Sequence, residues 1–266
     1  MTATFVVVPQ WQGSPSSRAM RQAEGAAAIR SDLPAAATRE VAVPLEAGDD
    51  QSTGVARFSS LQLIRERMRD VLDDVADTPI VIGGDCGVSS AAVARAAEKH
   101  GDLALIWFDA HPDLNNPDSS PSGAYAGMVL RSIVDEGIVP SARVLLAGAR
   151  SWDPGEEAFA AHVGIRAFSI DELSDAAALI AAVTETGAQS VYLHIDLDVL
   201  DPGEIAGLLD PEPFGLAAST LVSTIKAMRE SFTLAGATVA AYAPASPAQT
   251  VDDAPTLLRI IGALAS

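Results

Sequence analysis

Three side chains that can bind metal lie at alternate positions in the middle of the chain. Asp109, His111 and Asp113 follow the apolar run 103–108, which predicts a buried strand ending in a turn before Pro112. Alternate side chains of an extended segment point to the same side, so the three can converge on one point. An isolated Asp-x-His-x-Asp pattern is equally consistent with solvated or capping side chains.

Two further strand ends carry side chains of the same kind. Asp196 and Asp198 close the strand that begins at Val191. A pair of buried carboxylates is costly without a cation between them. A third apolar run, 79–82, is followed by Gly83-Gly84-Asp85-Cys86. Together the three strand ends predict a site for two shared metal ions.

The donor types indicate both the metal and the chemistry. Carboxylates with one imidazole suit manganese better than a closed structural zinc site. Two metal ions that share a water would supply hydroxide at neutral pH as a nucleophile. The pattern is therefore typical of a hydrolase.

Composition excludes several partners and predicts a single domain over residues 1–266. The formal net charge is −18 and the pI is near 4.4, which argues against nucleic acid or an anionic membrane as a partner. No run of 18 apolar residues occurs, and residues 4–8 predict a first strand rather than a signal peptide. The single cysteine excludes an internal disulfide, so we expect a cytoplasmic protein.

Short apolar segments alternate with helical ones along the chain. The predicted strands are 4–8, 38–43, 79–82, 103–108, 142–146, 166–169, one from Val191, and 238–242. The predicted helices are 17–31, 59–76, 91–99, 127–135, 156–162, 171–186, 217–232 and 254–264. This alternation predicts a three-layer α/β/α fold with a central, mainly parallel sheet. Sites in such folds lie at the carboxyl ends of strands, where all three motifs fall.

Taken together, the motifs resemble those of the arginase, or ureohydrolase, family of binuclear manganese enzymes that hydrolyse guanidino groups. The segments that carry the resemblance are Gly83-Gly84-Asp85, Asp109-Ala110-His111-x-Asp113 and Asp196-x-Asp198-x-x-Asp201-Pro202. The resemblance implies two Mn²⁺ ions bridged by Asp109 and Asp196. It also implies that His111 and Asp198 bind one metal, and that Asp113 binds the other and acts as general base.

The resemblance extends to the part of the site that holds an amino acid. Asn115 and Ser122 stand where family members that use free arginine hold the α-carboxylate. Asp153 and Glu156, in a loop that starts at Arg150, match the residues that hold the α-amino group, although Ser151 replaces a common Asp. Asp and Glu can pair with an ammonium, while Asn and Ser can donate to a carboxylate. The set favours a small α-amino acid over a decarboxylated amine such as agmatine.

The departures from the family pattern lie at the chemistry. Cys86 replaces a metal-binding His, Ala126 replaces a proton-shuttling His, and Ala241 replaces the Glu that pairs with the guanidinium. Cys86 could bind metal as a thiolate and soften that metal, or be a buried inert thiol.

One reaction accounts for the three changes. Nω-hydroxy-L-arginine keeps the amino-acid end, while its N-OH makes the guanidine less basic and less dependent on a Glu counter-charge. We therefore expect a hydrolase that releases hydroxyurea and L-ornithine, similar to a branch of the family that works in antibiotic biosynthesis.

Two alternatives are open from the residues alone. An ordinary arginase could use Asp210 or another carboxylate of 203–215 in place of the missing Glu. A metal-poor pseudoenzyme could keep the fold for binding. A homo-oligomer is possible, since family members are often trimers or hexamers.

Overall fold

The computed structural model describes residues 3–120 and 122–266. The strands in these residues are β1 (Ala3–Val8), β2 (Thr38–Glu40), β3 (Thr78–Gly83), β4 (Leu103–Phe108), β5 (Val144–Ala147), β6 (Arg166–Phe168), β7 (Ser190–Asp196) and β8 (Thr233–Ala240). The helices are α1 (Met20–Ser31), α2 (Phe58–Asp73), α3 (Ser89–His100), α4 (Val129–Asp135), α5 (Pro154–Val163), α6 (Ala177–Glu185), α7 (Ala218–Ser231) and α8 (Pro247–Ala265). None of these helices has the length and apolar composition needed to cross a membrane.

The strands form one sheet in the order β2-β1-β3-β8-β7-β4-β5-β6, and every pairing is parallel. The predicted α/β class is confirmed, with a wholly parallel sheet in the described residues. Parallel strands need crossover connections, and the helices between them supply those connections.

Both faces of the sheet are covered, as a parallel sheet requires. Helices α1, α6, α7 and α8 contribute to the core on one face, while α2, α3, α4 and α5 contribute to the core on the other. In β4, Ile106 and Phe108 face the first core, whereas Leu105 and Trp107 face the second. This alternation explains why the strand sequences are continuously apolar.

The last strand differs from its prediction. β8 spans Thr233–Ala240 rather than 238–242, so Ala241 follows the strand and has φ 69°. The first half of β8 is rich in Ala and Gly, which have low strand propensity and gave little signal. Its burial between β3 and β7 outweighs that propensity.

Among the other elements that differ from prediction, β2 and α6 lose several residues. β2 covers Thr38–Glu40 rather than 38–43, because it is an edge strand paired only with β1. α6 begins at Ala177 rather than at 171. The residues before it form turns, in which Glu172 accepts hydrogen bonds from the backbone and side chain of Ser169.

The sheet order decides where chemistry can occur. β3, β8, β7 and β4 are consecutive near the centre, and their carboxyl ends lead into Cys86, Ala241, Asp198 and Asp109. Residues from four distant parts of the sequence therefore meet at one edge of the sheet.

Candidate metal centre

The register of β4 and β7 brings acidic side chains together. Phe108 pairs with Ile195, so Asp109, which follows β4, lies beside Asp196, the last residue of β7. Asp198 lies in the 3-10 turn that follows β7. The carboxylates separated by 87 positions in the sequence are therefore neighbours, as the motifs predicted.

Backbone amides fix the orientation of three carboxylates. The His111 amide donates to Asp109 Oδ1 (2.7 Å) and the Asp198 amide to Asp196 Oδ1 (2.8 Å). The Ala110 amide crosses between the strands and donates to Asp198 Oδ1 (2.9 Å). Because the donors are backbone amides of the turns that follow β4 and β7, the hydrogen bonds fix the carboxylates relative to these turns. The cluster is therefore preorganised before any ligand binds.

Asp113 reaches the cluster through an unusual backbone conformation. Its φ of 53° lies in the left-handed region, which Asp and Asn adopt more easily than most residues. The side chain is buried, and its Oδ2 has no hydrogen-bond partner among the described residues. Strained backbone and an unpartnered buried oxygen are both typical of a binding or catalytic position.

His111 is the cationic partner of this cluster. Its Nδ1 lies 2.8 Å from Asp198 Oδ2 and 3.6 Å from Asp109 Oδ1. Burial disfavours the charged ring, but hydrogen bonds and charges from Asp109 and Asp198 outweigh burial and raise the pKa of His111 to about 12. In the metal-free protein this imidazolium offsets part of the negative charge of the carboxylates.

One imidazolium does not balance four buried carboxylates. Asp109, Asp113, Asp196 and Asp198 are between 1% and 6% exposed. Burial and the charge of Asp198 raise the pKa of Asp109 to about 7, and burial with neighbouring carboxylates raises the pKa of Asp113 and of Asp196 well above the usual range. Such a cluster favours either protonation or bound cations.

The donor atoms are spaced for metal ions. Ligand atoms of Asp109, His111 and Asp198 lie within 4.8 Å of one another. A second group, Cys86, Asp109, Asp113 and His194, meets the same limit and shares Asp109 with the first. With Asp196 beside both, the residues fit two cations with Asp109 between them. The individual ligand assignments stay predictions.

Cys86 lies within the cluster as predicted. Its Sγ donates to Asp196 Oδ2 over 2.8 Å, and the side chain is buried. Burial and then the charges of Asp196, Asp113 and Asp109 raise the pKa of the thiol well above its usual value. The metal-free form therefore holds a thiol, and a thiolate there needs a cation to stabilise it.

The predicted amino-acid residues line the same cavity of about 470 Å³ as the carboxylates. Asn115 donates from Nδ2 to Asp153 Oδ2 (2.9 Å), and Glu156 accepts from the backbone amides of Leu114 (2.9 Å) and Asp153 (3.0 Å). Ser122 is exposed at the rim. Asn115, Asp153 and Glu156 thus brace one another as well as facing the cavity, and their substrate roles stay predictions.

Three of the residues that line this cavity, Ala126, Ala241 and Gln22 of α1, are uncharged, and we call them together the uncharged wall. Gln22 is buried, and none of the residues that the structure describes forms a hydrogen bond with its Oε1. Gln22 was missed from the sequence because it lies in an Ala-rich helix without a motif. The only signal was Gly25, one turn later, where a Cβ would lie 2.0 Å from the carbonyl oxygen of Tyr242.

A loop from the 203–215 region closes over His111. Asp210 Oδ2 lies 4.0 Å and Glu212 Oε1 3.9 Å from His111 Nε2, and Asp210 lines the cavity with 85% of its side chain exposed. The Arg150 guanidinium donates to the backbone carbonyl groups of Glu212 (2.8 Å) and Asp198 (2.8 Å). Arg150 therefore ties this loop to the carboxyl end of β7.

We expect the stability of the metal-free protein to fall as pH rises. The folded-state pKa of Asp109, about 7, exceeds its ordinary value of 3.8, so the folded state binds more protons than the unfolded state between these values. This contribution is complete below pH 3.8 and is lost as pH rises through 7. Thermal unfolding after chelation should give a Tm several degrees lower at pH 8 than at pH 5. Saturating divalent metal should reverse the trend, and a metal-free Tm that rises with pH would contradict the burial argument.

Comparison with known proteins extends these observations. The Arginase family matches residues 13–261. The arginase of Bacillus subtilis (strain 168) is 33% identical over 156 residues, 52% of this chain and 52% of that protein. The arginase of Bacillus caldovelox is 31% identical over 188 residues, 61% of this chain and 62% of that protein. The chain thus spans about half to three fifths of the length of these relatives.

Solved structures agree on the fold. Entamoeba histolytica arginase in complex with L-ornithine superposes with a TM-score of 0.85 at 22% identity, covering 98% of this chain and 97% of that one. Proclavaminate amidino hydrolase from Streptomyces clavuligerus has a TM-score of 0.76 at 22% identity, covering 99% and 92%. These likenesses show the fold, and the family match over residues 13–261 establishes that the chain belongs to the arginase family.

Proposed function

We propose that this chain is a metal-dependent hydrolase that cleaves Nω-hydroxy-L-arginine to hydroxyurea and L-ornithine. Membership of the arginase family supports hydrolysis of a guanidino or amidino group. The proposed substrate is a small molecule, a free amino acid, and we propose that the protein acts in the cytoplasm. The choice of the hydroxylated guanidine depends on the cavity wall formed by Gln22, Ala126 and Ala241.

That uncharged wall is the observation that carries the proposal. A guanidinium remains charged at neutral pH, and burying it without a counter-charge is costly. The hydroxyguanidine is less basic because its oxygen withdraws electrons, so it can enter as a neutral group. The unpartnered Oε1 of Gln22 can accept one of its N–H groups. The small side chains of Ala126 and Ala241 leave room for the additional oxygen.

The polar and acidic residues that line the cavity support an α-amino acid as the substrate. Asp153 and Glu156 place two carboxylates beside the cavity, where they can accept hydrogen bonds from an α-ammonium. Asn115 and Ser122 can donate to an α-carboxylate, since Asn115 uses one of its two amide N–H groups on Asp153. An amine without the carboxylate would leave these donors unpaired.

We propose manganese as the metal, because the donors are mostly carboxylate oxygens. In this proposal Asp109 and Asp196 would bind both ions, His111 and Asp198 would bind one of them, and Asp113 and Cys86 would bind the other; the proximity of these side chains supports it. When bound, two such ions supply a water with a lowered pKa as the nucleophile.

Asp113 is the proposed general base and acid. Its free Oδ2 can accept a proton from the attacking water, whose oxygen adds to the guanidine carbon. Asp113 then returns that proton to the substrate Nδ as the C–N bond breaks. One water is consumed, and the products are L-ornithine and hydroxyurea. In this scheme Asp113 takes over the proton transfer that a His at position 126 would otherwise perform.

An ordinary arginase is the second candidate, and Asp210 is the observation that favours it. Asp210 lines the cavity and can supply a carboxylate to a guanidinium. However, most of its side chain is exposed, and solvent screening weakens the pairing of exposed charges.

The test is turnover of L-arginine and Nω-hydroxy-L-arginine by manganese-loaded protein, with ornithine measured from both. We expect kcat/KM to favour the hydroxylated substrate by at least about 100-fold, the value of one well-placed polar pairing. Asp210→Asn should leave that preference unchanged. Preference for arginine that is lost in Asp210→Asn would establish the second candidate. Binding of both amino acids without turnover would indicate a pseudoenzyme.

A further inference from the structure

His194 is a buried imidazole that the proposed function does not use. It lies on β7 two residues before Asp196, and its side chain is completely buried. Trp107 of the neighbouring strand stacks on the ring, with centroids 3.5 Å apart and planes 16° from parallel. Histidine in an apolar core usually has both ring nitrogens hydrogen-bonded, but in the part of the chain that the structure describes only one nitrogen of His194 is.

The partner of that nitrogen sets the direction of the ring. His194 Nδ1 lies 2.7 Å from Ser89 Oγ at the start of α3. Stacking on Trp107 fixes the plane of the ring. Because the two nitrogens of an imidazole point in diverging directions, Nε2 points away from Ser89. An imidazole whose second nitrogen is held by a polar group is the usual arrangement for a metal-binding His.

His194 Nε2 points into the carboxylate cluster without a partner. It is buried, forms no hydrogen bond with any residue of 3–120 or 122–266, and lies 3.9 Å from Asp109 Oδ2, too far for one. Asp109 Oδ2 already accepts from Trp107 Nε1 (3.1 Å). Two buried groups that face each other at this distance leave space for a cation to which both can bind.

We propose that His194 Nε2 is a metal ligand at the Cys86 side of the site. Its ligand atom lies within 4.8 Å of those of Cys86, Asp109 and Asp113, which would complete a four-donor set of sulfur, nitrogen and two oxygens. This donor set is softer than that of Asp109, His111 and Asp198, so the two positions differ in metal preference. The proposal rests on the metal site of the proposed function but not on its substrate.

The first test counts metal-bound imidazole nitrogens in the unaltered chain. The protein is labelled with ¹⁵N and loaded with Zn²⁺, a diamagnetic probe, and its four His rings are observed by NMR. We expect the rings of His111 and His194 to carry a metal-bound nitrogen. A metal-bound nitrogen on His111 but not on His194 would overturn the proposal, and no change in substrate preference affects the result.

The second test is titration with Co²⁺, followed by calorimetry and visible absorption. His194→Phe keeps an aromatic ring against Trp107 and should weaken one of two Co²⁺ sites by about 100-fold, with an altered ligand-field spectrum. The matched control His162→Phe changes an exposed His and should bind two ions as before. Unchanged affinity and spectrum in folded His194→Phe would refute ligation. A weaker site with an unchanged spectrum would also refute it, because it would assign His194 a positioning role.

Discussion

Asp113→Asn is expected to lose activity by about 1,000-fold or more while making the metal-free protein more stable. Activity falls because the general base and one metal donor are removed together, and a base alone contributes roughly 10²- to 10⁴-fold. Stability rises because Asp113 is a buried carboxyl among like charges, with a pKa raised well above its usual value by burial, Asp109 and Asp196. Asn also tolerates the left-handed backbone at this position, where φ is 53°.

Two measurements on the same variant separate these effects. Thermal unfolding after chelation should show a Tm a few degrees above that of the parent, since about 1 kcal/mol corresponds to ~2–4 °C for a chain of this size. The increase in Tm on adding Mn²⁺ should shrink, because the variant binds metal more weakly. Asp118→Asn is the control, since it removes an exposed carboxylate from the same loop. A lower metal-free Tm in Asp113→Asn would show that Asp113 stabilises the fold rather than the site.

The candidate metal-binding motifs could be predicted because each one is a short, local sequence pattern at the end of a strand. Each motif follows a continuous apolar run, and in parallel sheets such runs end at one edge. Asp109 and His111 therefore had to lie at that edge once their strand was identified. Their proximity to Asp196 required β4 and β7 to be neighbours, which the spacing of 87 positions does not encode. The family resemblance supplied that information.

Other features of the site depend on packing that no local pattern reports. Ala241 was predicted inside the last strand, but β8 spans Thr233–Ala240, and its Ala- and Gly-rich first half gave little strand signal although its neighbours hold it in the sheet. Gln22 faces the cavity because Gly25 allows α1 to approach the chain at Tyr242. Neither position has a motif, and both became visible only when the sheet and its helices were in place.

Restoring a carboxylate at position 241 should shift the preference toward L-arginine. Ala241→Glu would place a negative charge in the uncharged wall beside Gln22, where a guanidinium lacks a counter-charge. A hydrogen bond to a charged group contributes about 1.5–3 kcal/mol, so kcat/KM for arginine should rise by roughly 10- to 100-fold. The value for Nω-hydroxy-L-arginine should fall, because Glu fills space that its oxygen needs. The left-handed φ of 69° adds little new strain, since Ala already adopts it.

Ala241→Gln is the matched control, because Gln has nearly the same size as Glu without the charge. If the negative charge of Glu at position 241 is what favours arginine, Ala241→Gln should leave arginine turnover low. It should still reduce turnover of hydroxyarginine, because Gln fills the same space. Equal gains for arginine in both variants would mean that size rather than charge controls entry. If neither variant gains arginine turnover, a different group must set the preference, and Asp210, which also lines the cavity, is the candidate. The pair of variants thus tests whether the uncharged wall, on which the choice of substrate depends, has the physical effect assigned to it.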